Sequence, residues 1–70
     1  MNQKEIARRV NSLVRTSCDD LYVSLQHVKG GEMMPVLESA LALCQREGSK
    51  TKASHIQRRI NWLRKRGWDK

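Results

Sequence analysis

Trp62 stands in the most cation-dense stretch of the chain, with Arg58, Arg59, Arg64, Lys65 and Arg66 within four residues of it. On a helix each residue advances about 100°, so Ile60 marks the core side and Trp62 falls nearly opposite. Its neighbours one turn away are then Arg58, Arg59, Lys65 and Arg66, and His55, Arg59, Trp62 and Arg66 form a second continuous stripe. Guanidinium groups grip phosphate oxygens, often bidentately, and release counterions. An indole can stack on an unpaired base, an interaction worth roughly 1–3 kcal/mol. Asn61 and Gln57 border the same face and carry groups able to read base edges. Lys50 and Lys52, with Arg8, Arg9 and Arg15 near the N-terminus, extend the set of expected phosphate contacts. The competing structural reading makes the charges a solvated face. Trp62 then packs on the first helix or a second copy, with arginine stems over its ring.

Other chemistry finds less support. Cys18, Cys44, His27 and His55 are four conceivable zinc ligands, but structural zinc sites draw ligands in close pairs and none is closely spaced here. Cys44 falls on an apolar face and reads as a core thiol. Asp19-Asp20 is explained by a helix start, and Gly30-Gly31 lacks the surroundings of a phosphate loop. No motif pairs a nucleophile with a base. No metal, no cofactor and no enzymatic activity are expected.

Charge distribution says more than the total of +7. Residues 1–16 carry a net +3, residues 17–47 a net −3, and residues 48–70 a net +7 from eight cations and Asp69. Concentrating cations at one end attracts polyanions, whereas solubility alone would be served by scatter. Asp19, Asp20, Glu32 and Glu38 in the acidic middle are available to neutralise part of that field. No stretch reads as a secretory leader or approaches a membrane span, and the two cysteines are far apart. Reduced thiols in the cytoplasm are the expectation.

The punctuation Gly30-Gly31, Pro35, Gly48 and Gly67 divides the chain into four helical segments, roughly 3–15, 19–29, 35–47 and 50–66. Ile6, Val10, Leu13 and Val14 make the stripe of the first, and Leu21, Leu25 and Val28 that of the second, with Ser17 or Cys18 as its cap. The third, through Val36, Leu37, Ala40, Leu41, Leu43 and Cys44, has the only broad apolar face and is expected at the centre, with the other helices packed on it. The fourth, capped by Ser49, presents Ala53, Ile56, Ile60 and Leu63, and Trp68, beyond Gly67, is expected to fold back over the core end. An all-α single domain follows, a small bundle of three to four short helices. At 70 residues its core is thin, and a homodimer would supply further burial.

The third and fourth segments, joined at Gly48-Ser49, have the general form of a helix-turn-helix. That motif wants apolar residues where Ser54 and Gln57 stand, and the apolar Ala53 and Ile56 are displaced by one position. The stretch REGSKTKASHIQRRINWLRKRG bears a loose likeness to the C-terminal helix pair of the factor-for-inversion-stimulation type. It lacks the glycine of the inner turn and covers under a third of the chain, so it identifies no family. The leading expectation is a small nucleic-acid-binding regulator or accessory factor, with DNA favoured over RNA. A module docking on a larger acidic protein is the alternative, and attachment of the last helix to an anionic membrane ranks below both.

Overall fold

The computed structural model describes residues 2–28 and 31–67. Among them are four α-helices, α1 (Gln3–Arg15), α2 (Cys18–Gln26), α3 (Met34–Glu47) and α4 (Lys50–Lys65), with one 3₁₀ turn, Gly31–Met33, leading into α3. No described residue is in a strand, and the all-α bundle read from the sequence is the fold. No helix among the described residues is long and apolar enough to cross a membrane.

Local chemistry sets the boundaries. The Asn2 side chain accepts the Glu5 N–H at 2.8 Å and starts α1. At its other end Thr16 turns extended, and its hydroxyl donates to the Ser12 carbonyl at 2.6 Å. Ser17 caps α2 by accepting the Asp20 N–H, and Asp19 and Asp20 lie at the positive end of that helix dipole. α2 stops at Gln26, before the expected end at 29, because the chain leaves the helix while burying Val28. Lys29 and the Gly30 stop lie outside the described residues. α3 begins at Met34, so Pro35 is the second helical residue and not the first. Gly48 ends α3 in the left-handed region at φ 78°, letting the Ser49 N–H bond the Cys44 carbonyl at 2.8 Å. Ser49 occupies the cap position of α4, but its side chain makes no capping bond. Gly67 follows α4 with φ 77°. Trp68, read from the sequence as folding back over the core end, lies outside the described residues.

The core is a single cluster drawn from every helix: Val10 from α1, Leu21 and Leu25 from α2, Val36, Leu37, Ala40 and Cys44 from α3, and Ala53, Ile56, Ile60 and Leu63 from α4, joined by Val28 and Met34. α3 packs against both α1 and α4, as its broad apolar face leads one to expect. α2 differs from the expectation, because its main partner is α4 and not α3. The Leu21–Leu25 edge therefore meets the last helix on the flank that carries His55, Arg59 and Trp62.

Candidate functional site

The side of α4 facing α2 holds the residues singled out by type and spacing. A cleft of about 250 Å³ runs between the two helices, lined by Tyr22, Leu25 and Gln26 from α2 and by His55, Arg58, Arg59 and Trp62 from α4. The lining positions fall one helical turn apart on each element, so the two faces meet along their length.

Arg59 has a part in this arrangement that the sequence reading missed. It is buried, at 8% exposure, and its Nε and Nη2 donate to the Val28 carbonyl at 2.8 and 2.6 Å while Nη2 also reaches the Gln26 carbonyl at 3.2 Å. Helix C-termini leave carbonyls without intrahelical partners. Arg59 therefore crosses from α4 to satisfy the end of α2, with no carboxylate involved among the described residues. Burial, and behind it the charge of Arg66, pull its pKa below the usual guanidinium value. Its carbonyl bonds offset the loss of hydration, and a guanidinium stays protonated regardless.

Trp62 is half-buried against the edge of the core. The Arg59 and Arg66 guanidinium carbons lie over its ring, 3.9 and 4.3 Å from the centroid. Of the four helical-wheel neighbours, Arg59 and Arg66 lie over the ring, so the indole carries two cations instead of standing bare. Arg58, Lys65 and Arg66 are exposed, and among the described residues none of the three pairs with a carboxylate. Arg64 meets Glu38 of α3 at 3.7 Å, so part of the acidic middle does reach the basic helix. His55 is half-buried, edge-on to Tyr22 at 5.5 Å between centroids and 66° between planes. Its Nδ1 is buried with no hydrogen-bond partner.

The remaining candidates are dispersed. Lys52 donates from Nζ to the Val14 carbonyl at 2.7 Å, placing an ammonium on the negative end of α1. Lys50 is exposed beside it, in a shallow depression shared with Cys18. Arg15 is exposed at the end of α1. Arg8 and Arg9 lie on α1, which packs on α3, and are not gathered with the α4 set. Arg9 lies 3.9 Å from Glu5 and 3.5 Å from the Met33 sulfur. Gln57 donates to the Asn61 side-chain oxygen at 3.0 Å, so these two amides engage each other.

Tyr22 and Gln26 were not among the residues expected from sequence. The usable signal was Tyr22 itself, a large ring left off the Leu21, Leu25, Val28 stripe and exposed at 51%. Cys44 is wholly buried, and burial pushes its thiol pKa up. Among the described residues no group of three His, Cys, Asp or Glu is placed to hold a metal ion. Comparison with models of known families, with curated proteins and with solved structures gave no match.

Proposed function

We propose that the protein is a small cytoplasmic nucleic-acid-binding factor, regulatory or accessory in role and with DNA favoured over RNA. It acts through the basic face of α4. The observation that carries this reading is the placement of Arg58, Lys65 and Arg66: exposed, without carboxylate partners among the described residues, and beside an aromatic-lined cleft. Cations fixed on a helix present a phosphate chain with a preformed row of donors, and each contact releases a condensed counterion. Arg59 and Lys52 add to the local field but have their donors turned to protein carbonyls, so they position the face more than they touch a ligand. Lys50 and Arg15 extend the surface at the start of α4, and Arg8 and Arg9 serve a polymer long enough to continue past it.

Duplex DNA, single-stranded DNA and RNA of equal length, titrated at low and physiological salt with tryptophan fluorescence as the signal, test the reading. Binding whose log affinity falls linearly with log salt is expected. Absence of saturable binding to all three at low salt overturns it and leaves an acidic protein partner as the better reading.

A further inference from the structure

We infer that the cleft between α2 and α4 receives one unpaired base of a single-stranded nucleic acid, with Tyr22 supplying the stacking surface and Arg58 the neighbouring phosphate contact. The inference rests on the proposed function and adds the kind of strand and the place of the base. The cleft, at about 250 Å³, is below the roughly 300–1,000 Å³ of drug-sized ligand sites, a size suited to one small planar group. Aromatic rings with an apolar floor are the surroundings that such a group needs, and Tyr22, His55 and Leu25 provide them.

Two further observations direct the occupant. The Trp62 ring carries the guanidinium groups of Arg59 and Arg66, which moves the stacking role to Tyr22, half exposed and held edge-on by His55. The edge of a base offers hydrogen-bonding groups of both kinds, and the exposed amide of Gln26 adds a donor and an acceptor at the same cleft. A base within a duplex has both faces in the stack and cannot enter a recess between two helices, so the strand is unpaired there. A free nucleotide offers the same base and phosphate chemistry. The exposed cations Lys65 and Arg66 beyond the cleft favour the polymer, since they can hold further phosphates.

The test compares a fluorescein-labelled single-stranded deoxyoligonucleotide with an abasic strand of the same length and charge, by anisotropy at physiological salt. The intact strand is expected to bind about tenfold more tightly, the scale of one base–ring stack. Tyr22→Ala should erase that difference while leaving abasic binding unchanged, and Tyr22→Phe should keep it. Arg58→Ala should weaken both strands alike. Equal binding of the two strands by the unaltered protein, or equal weakening of both by Tyr22→Ala, overturns the inference. Displacement of the strand by a micromolar free mononucleotide overturns the assignment to a polymer. If neither strand binds even at low salt, the proposed function fails as well, a result separate from equal binding.

Discussion

Replacing Arg59 with methionine keeps a long flexible stem at the α2–α4 junction and removes the cation that caps α2. Two carbonyls, those of Gln26 and Val28, lose their described side-chain donor, and the Val28 bonds are buried. A hydrogen bond from a charged group contributes roughly 1.5–3 kcal/mol, and a buried acceptor left unpaired costs about 1–3 kcal/mol. The variant regains some free energy because no charge is desolvated, so the net loss expected is about 3 kcal/mol. In a domain this size each kcal/mol moves the melting temperature by roughly 4–8 °C, which puts the fall at about 12–24 °C. Thermal melts by far-UV circular dichroism measure it directly. The wild-type contribution should persist in high salt, because the contact is buried and not screened as a surface pair would be. Arg59→Lys, with one ammonium able to reach a carbonyl, should fall between the two. A loss within about 1 kcal/mol for Arg59→Met would refute the idea that this arginine ties α2 to α4.

Further expectations follow from the same structure. Lys52→Met should cost about 1 kcal/mol through loss of the Val14 contact at the negative end of α1, while Lys50→Met, at an exposed position with no described side-chain bond, should leave the melt nearly unchanged. Gly48→Ala should cost about 1–2 kcal/mol, because φ is 78° and a Cβ there meets nothing within 4 Å, so the loss is conformational. In thiol labelling Cys18, partly exposed, should react quickly. The buried Cys44, its ionisation disfavoured by desolvation, should react only as the protein opens, its rate rising with denaturant.

The helices were readable from sequence because each carries its own instructions. Ser17 caps, Gly48 and Gly67 terminate, and stripes such as Leu21–Leu25 and Ile56–Ile60–Leu63 mark the faces that become buried, whereas the Asn2 cap of α1 was not read. Which helix meets which was harder to read, since a stripe declares that it will be covered and not by what. For that reason α2 was expected on α3 and lies mainly on α4. The same gap hid the part played by Arg59. Its position one turn from Trp62 was visible on a helical wheel, but carbonyl acceptors at Gln26 and Val28 are backbone groups that every residue possesses. Tyr22 stands off the Leu21, Leu25, Val28 stripe, but its place off the stripe does not say what the ring will meet. Only the packing of α2 on α4 brings it to His55.

The salt dependence of strand binding, measured for the native protein and for the triple variant Arg58→Ala, Lys65→Ala, Arg66→Ala, tests the basic face of α4 most directly. Each phosphate contact removed should lower the slope of log affinity against log salt by roughly one unit, so the variant should lose about two to three units and bind more weakly at every salt concentration. Its melting temperature should fall by only a few degrees, since the three side chains are exposed and the Arg66–Trp62 contact contributes about 0.5–1 kcal/mol. An unchanged slope in the variant, or no measurable binding by the native protein at low salt, would contradict the proposal that this face meets nucleic acid.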